Sequence, residues 1–289
     1  MKRLMLLADD YLTDADIPFR LIKRDPEIPY SLHSHDFHEL VIAVSGRGTH
    51  FWETGEQELS SGMVFIVSPG QSHGFRDVDN LVLYNIICIP DNLSALFPDL
   101  STMPSYQALF NLSSLNLEKA NPIPSFTLKP SELTEICVIA EKLMKEIGLS
   151  GYGDGAKSLS LAYIGELLVK LFRFHARKRT TEDMLIDDLA HVFSFMEAHA
   201  DRPVTTEELV AVAHMSTSTL NRYFHRGTGM SPVQYHMKKR ISKSCYLIRS
   251  TTLSIGEISE MTGFSDANYY CRQFKKIMGT SPLQYRRNP

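Results

Sequence analysis

Phe224-His-Arg-Gly-Thr-Gly-Met-Ser-Pro-Val-Gln-Tyr235 returns fifty residues later as Phe274-Lys-Lys-Ile-Met-Gly-Thr-Ser-Pro-Leu-Gln-Tyr285. Without any gap, the same offset pairs Glu207 with Glu257, Ser216 with Asp266 and Arg222 with Arg272. Self-similarity at a fixed period is the mark of one supersecondary unit used twice. Each copy reads as two short helices around a tight turn. In the first, Thr205 opens an apolar-periodic helix to His214 with two acids where the helix dipole favours them. Ser216 then caps a helix to about Arg226, with Leu220, Tyr223 and Phe224 inward and Asn221 and Arg222 outward. In the second copy a helix runs from Ser254 or Ile255 to about Met261, Gly263 turns the chain, and Asp266 caps a helix through Lys276. A single pair of this kind is usually an ordinary helical hairpin. Two copies with an outward Arg at the same register, joined by a stretch from Ser231 to Ser250 that reads as one helix, point to paired helix-turn-helix readers of DNA.

Charge points the same way. From Thr205 to Pro289 twelve Lys and Arg stand against five acids, a balance of +7, while the rest of the chain carries −10. The whole-chain value of −3 therefore hides a basic C-terminal domain, the footprint of a phosphate-binding surface.

With these residues in place, the region from about Leu185 to Arg287 resembles the DNA-binding domain of the AraC/XylS family of transcription regulators. The most specific stretch is Ile255-Gly-Glu-Ile-Ser-Glu-Met-Thr-Gly-Phe-Ser-Asp-Ala-Asn-Tyr-Tyr-Cys-Arg-Gln-Phe-Lys-Lys276, followed by Gly279-Thr-Ser-Pro-Leu-Gln-Tyr-Arg286. Ser259 and Tyr270 depart mildly from the family's usual Ala and Phe. The resemblance implies DNA contacts at Ser218, Asn221 and Arg222 in the first reader helix and at Ala267, Asn268 and Arg272 in the second. Of these, the arginines have the reach for bidentate contacts to guanine.

The N-terminal half has a different texture. Short apolar runs (Leu40-Val-Ile-Ala-Val44, Val64-Phe-Ile-Val67, Leu81-Val-Leu-Tyr-Asn-Ile-Ile87) are broken by Gly46, Gly48, Gly55, Gly62 and Pro69-Gly70. That spacing predicts a small antiparallel barrel or sandwich. Helical patterns follow over Ser131 to Ile147 and Ala156 to Ala176, separated by a Gly-rich turn. Arg177 to Asp183 reads as an interdomain linker. The expected domains are 1–125, 126–183 as a helical dimerisation and linker region, and 184–289. The fold class is α+β multidomain: an N-terminal β-barrel with trailing helices, then an all-α double helix-turn-helix domain.

His33-Ser-His35-Asp-Phe-His-Glu39 with Gly46, and later Gly62 and Pro69-Gly70-Gln-Ser-His73, is similar to the two sequence motifs of the cupin barrel. On one extended strand His33, His35 and Glu39 share parity and face one side, while His38 faces the other. If that side is the interior, His73 on a later strand completes a divalent metal site of three His and one Glu. The alternative is a metal-free pocket in which these groups hydrogen-bond an effector or one another. The second motif departs from the family pattern, because one residue usually separates its Pro and Gly.

His35-Asp-Phe-His-Glu-Leu-Val-Ile42 and Asp79-Asn-Leu-Val-Leu-Tyr-Asn-Ile-Ile87 further resemble the sensor domain of the rhamnose-operon activators. This implies a sugar effector such as L-rhamnose, bound at His33, His35, Glu39 and His73. The family also implies a homodimer formed through the helices after the barrel, a double-stranded DNA operator and contact with RNA polymerase. The rival from another class is a metal-dependent cupin enzyme fused to a DNA-binding domain; the expectation is a regulator and not an enzyme. A chain of 289 residues fits two domains with their own cores. Four scattered cysteines argue against a disulfide framework or zinc finger and for a reducing cytoplasm. Leu4-Met-Leu-Leu-Ala8 is too short for a signal segment and runs into Asp9-Asp10. No other apolar run approaches membrane-spanning length.

Overall fold

The apolar runs around Leu40 and Leu81 lie in the two longest strands, and their pairing organises the N-terminal unit. The computed structural model describes residues 4–14, 16–112, 123, 125–148, 154–178 and 184–287. The chain divides into Met1–Met184 and Leu185–Pro289. The first unit begins with β1 (Leu4–Leu6), α1 (Ala8–Tyr11), β2 (Phe19–Arg24), β3 (Tyr30–His35) and β4 (His38–Trp52). It continues through β5 (Gly55–Leu59), β6 (Met63–Val67), β7 (His73–Cys88), α2 (Pro90–Leu96) and α3 (Pro104–Tyr106). It closes with β8 (Ser125–Thr127), α4 (Pro130–Ile147) and α5 (Ala156–Ala176).

The strands form one sheet in the order β1-β3-β7-β4-β6-β8, with β2 also on β7 and β5 also on β4. Among the described residues the path does not return on itself, so the sheet-rich unit expected as a barrel or sandwich is seen without barrel closure. Closure would need the end strands to pair with a barrel's tilt and stagger. Here the path ends in two three-residue strands, β1 and β8. The sheet is also not wholly antiparallel, because β1 runs parallel to β3.

Side-chain parity explains the continuous apolar runs. Leu40, Ile42, Val64, Ile66, Tyr84 and Ile86 share one core cluster with Ile136, Leu143, Leu168 and Leu171 of α4 and α5. The alternate residues Val41, Ala43, Phe65, Val67, Leu81 and Leu83 fill a second cluster on the opposite face. With both faces buried, both parities of these runs are largely apolar. Because α4 and α5 share a core with the sheet, they belong to the same compact unit, and no break falls at the expected 125/126 boundary.

The long strands are irregular where they bend. Their register shifts between Ala43 and Thr49, and Gly46 adopts φ +76° with Asn80 O only 2.1 Å from where a Cβ would stand. Only glycine fits that crossing. The Gly-rich turn after α4 lies partly, and the expected linker mostly, outside the described residues.

The second unit contains α6 (Met184–Ala198), α7 (Thr206–Ala213), α8 (Thr217–Thr228), α9 (Pro232–Ser250), α10 (Ile255–Met261), α11 (Ala267–Met278) and α12 (Pro282–Arg287). Thr205, Ser231 and Ser254 each form a reciprocal capping box with the residue three positions on. Ser216 and Asp266 cap α8 and α11, and each such cap contributes about 1 kcal/mol. Leu220 and Phe224 of α8 and Tyr270 and Phe274 of α11 are buried at matching positions. Each turn uses a positive φ, but differently: His214 at φ +50° directly follows α7, while Thr262 at φ −101° separates α10 from Gly263 at φ +78°.

Candidate sensor site and DNA-reading surface

The sensor site is assembled from three strands. His35 ends β3, and the chain bends at Asp36 and Phe37 before Glu39 enters on β4. The single extended strand expected for His33, His35 and Glu39 is therefore broken in two. Asp36 holds the bend to the N-terminal segment, its Oδ1 accepting from Ala8 N at 2.6 Å. His73 opens β7, directly opposite His33 in register.

His35, Glu39 and His73 each offer a ligand atom, all within 4.8 Å of one another. The His35 and His73 Nε2 atoms are buried without a hydrogen-bond partner. Glu39 Oε2 stands 3.8 Å from the first and 3.4 Å from the second. A tetrahedral divalent ion separates its ligand atoms by roughly 3.4 Å, so the donor set fits such an ion. His33 stands beside the group but outside it. Its Nδ1 lies 3.0 Å from Ser31 O, the ring also meets the His73 backbone, and its centroid is 4.4 Å from the His73 ring. His38 faces away, against Phe110.

The electrostatics suit the same chemistry. Burial pushes His35 down to about 4 and His73 well below the usual imidazole value, so both are neutral near pH 7. His35 Nδ1 donates to Phe37 O at 2.7 Å, which leaves the Nε2 lone pair free to ligate. Burial, with Glu27 adding to it, raises Glu39 to about 7. A buried carboxylate in that state calls for a proton or a cation.

Sequence reasoning passed over two members of the cluster. Asn85 donates to Glu39 Oε1 at 2.7 Å, and His50 Nε2 pairs with His73 Nδ1 at 3.1 Å. Asn85 had a legible signal, since it shares parity with the buried Leu81, Leu83 and Ile87 yet is polar. His50 did not. It lies an odd number of residues from Glu39, and only the register shifts of β4 bring both to one face. Beside the cluster lies a cavity of about 90 Å³, lined by Arg24, Glu27, Tyr30, His33, Phe37 and Asn85 among others.

In the second unit Ser218, Arg222, Ala267, Asn268 and Arg272 are exposed and Asn221 is half-buried. Asn221 Nδ2 donates to Thr217 O at 3.0 Å, turning the amide back on its own helix. The Arg222 and Arg272 guanidinium groups lie 5.2 and 5.9 Å from the rings of Tyr223 and Tyr269. Two residues counted in the basic footprint are spoken for. Lys239 pairs with Glu197 at 2.8 Å, and Arg240 is buried.

A buried polar site in one unit and two capped helix-turn-helix units in the other, on the same chain, define a ligand-responsive DNA-binding regulator. Comparison with known families agrees: the AraC-like ligand binding domain matches residues 18–172 and a helix-turn-helix domain matches residues 209–288. The chain belongs to the AraC family of transcription regulators. It is similar to the HTH-type transcriptional activator RhaR of Mannheimia succiniciproducens, at 27% identity over 98% of this chain and 96% of that protein. The RhaR of Pectobacterium carotovorum subsp. carotovorum is 29% identical over 99% of this chain and 96% of its own length. Among solved structures, the C-terminal domain of AraT, a response regulator from Geobacillus stearothermophilus, is 31% identical over 35% of this chain and 85% of that one, with a TM-score of 0.34. No helix among the described residues is long and apolar enough to cross a membrane.

Proposed function

We propose that the protein is a transcription activator that responds to a sugar, L-rhamnose being the first candidate, bound at the His35–Glu39–His73 site. Activator follows the relatives' printed names; the sugar rests on the sensor resemblance. The observation that carries the site is the pair of buried, unpartnered Nε2 atoms facing one buried carboxylate. Native interiors rarely leave such groups unpaired.

His35, Glu39 and His73 would hold a divalent cation, and His33 completes the polar wall as an effector contact. When bound, that cation supplies a Lewis-acidic centre able to hold hydroxyl oxygens. The chain's own residues do the rest. Asn85 orients Glu39, His50 orients His73, and Arg24, Glu27 and Tyr30 offer donors and acceptors to the remaining hydroxyls. Effector binding shifts the population toward the form in which α8 and α11 enter adjacent major-groove segments of a double-stranded operator. Arg222 and Arg272 contact guanine there, with Ser218, Asn221, Ala267 and Asn268 completing the contacts. The active form is a homodimer through α4 and α5 that meets RNA polymerase, in the reducing cytoplasm that four free cysteines fit.

Metal analysis of protein purified without chelator tests the site. Near-stoichiometric divalent metal that disappears in His35→Ala and His73→Ala is expected, together with a thermal shift on adding L-rhamnose that EDTA abolishes. A rhamnose shift in metal-free protein, indifferent to EDTA, overturns the metal-held version in favour of direct hydrogen bonding. Steady turnover of the sugar by the purified protein would mark a cupin enzyme carrying a DNA reader instead.

A further inference from the structure

Helix α9 joins the two helix-turn-helix units, and it buries the polar side chains of His236, Arg240 and Ser244 at one-turn intervals on one face; the first two reach out of the helix. His236 is 2% exposed and Arg240 is 3% exposed. Each reaches the backbone at the end of a different helix. His236 Nε2 donates to His199 O, just past the end of α6, at 3.2 Å. Arg240 Nε donates to Thr262 O, the residue that caps the end of α10, at 2.8 Å. The Arg240 guanidinium carbon also stands 4.0 Å from the ring centroid of Phe264, and Phe264 belongs to the turn between α10 and α11.

Neither choice is economical for packing alone. No carboxylate pairs with Arg240 among the described residues, and burying a cation without one is costly. What compensates is the negative end of α10, whose last carbonyls lack intrahelical partners. The two captured carbonyls also belong to segments that touch. A Cβ on Gly263 would lie 2.3 Å from Asp201 O, so the turn of the second unit is pressed against the loop that leads from α6 into α7 of the first. Three segments thus meet: the approach to the first unit, the turn of the second, and α9 between them.

We infer that His236 and Arg240 form a clamp on α9 that fixes the separation and angle between the two DNA-reading helices, making them specificity-determining residues for the spacing of the two DNA elements. Neither side chain reads a base. They act by holding α8 and α11 in one relative placement, and two readers held rigidly accept two elements only at one separation along the duplex. The inference rests on α8 and α11 being the helices that enter the grooves.

The test is selection of binding sites from a random duplex pool by the full chain, followed by affinity measurements on the selected duplex with one base pair inserted between its two elements. The wild-type protein is expected to lose about tenfold or more in affinity on that insertion, comparable to a mismatch. Arg240→Met and His236→Leu, which keep bulk and remove the donor, are expected to lose less than about threefold while keeping the same base preferences within each element. A purely structural role would weaken both duplexes together and leave the ratio unchanged. That unchanged ratio, in a variant with a cooperative thermal transition, overturns the clamp. Arg240→Lys retains one donor for Thr262 O and keeps the test available if the Met variant does not fold; it should recover part of the spacing penalty. Failure of the underlying reading shows itself differently, because the wild-type protein would then enrich no sequence with two elements at all.

Discussion

The buried polar side chains that organise each unit are treated in opposite ways. In the second, His236, Arg240 and Thr262 each close on a backbone carbonyl within the unit, and helix after helix is capped by its own Ser, Thr or Asp. In the first, Glu39, His35 and His73 converge on one point, and two of their nitrogens close on nothing. Satisfied buried polar groups fix architecture, while unsatisfied ones aimed at a common centre mark where a ligand belongs. The contrast assigns rigidity to the reader and binding to the sensor.

The sharpest way to break that contrast is through Glu39. Its folded pKa of about 7 lies above the ordinary carboxylate value, so in metal-free protein the folded state holds the proton more tightly than the unfolded one. Stability from this group is fully present at low pH and lost as pH rises from about 4.5 through 7, by about 3 kcal/mol. The neighbouring histidines titrate in the opposite sense, so the measurement is the difference between wild type and Glu39→Gln. Metal-free wild type should lose stability relative to the variant across that window, and saturating Zn²⁺ should reverse the loss. Parallel pH profiles for the two proteins would mean that Glu39 is already satisfied and the sensor is no different from the reader.

Smaller effects sharpen the reader side. Arg222→Ala and Arg272→Ala should each cost about 1–3 kcal/mol at a selected operator, with relaxed base preference in different segments about one helical turn apart. Equal weakening on random duplex would show that these arginines touch phosphate alone.

The same contrast explains what could be read from the chain. The reader is built from local signals. Thr205 with Glu208, Ser231 with Gln234 and Ser254 with Glu257 announce helix starts within four residues, and the fifty-residue repeat supplies a second, independent reading of every element. Observed helix ends accordingly fall within two residues of those expected. The sensor depends on pairings between distant strands. The bend at Asp36–Phe37, the parallel strand β1 and the register shifts after Ala43 leave almost no local trace, so His50 and the lack of closure among the described residues were out of reach. His35, Glu39 and His73 were legible as residues because buried imidazole and carboxylate groups at metal-ligand spacing are chemically distinctive. That His33 stands outside the converging group was not, since it depends on how β3 is seated against β7.

One comparison bears on the whole account: DNA affinity of the full chain with and without L-rhamnose, for wild type and for His35→Ala. Wild-type affinity should rise roughly tenfold with the sugar, within the usual range of allosteric coupling. His35→Ala should keep the sugar-free affinity, because its reader retains its own core and caps, and should gain nothing on adding rhamnose. A His35→Ala protein that responds at an unchanged half-maximal concentration would contradict the account and return these histidines to the role of packed strand residues.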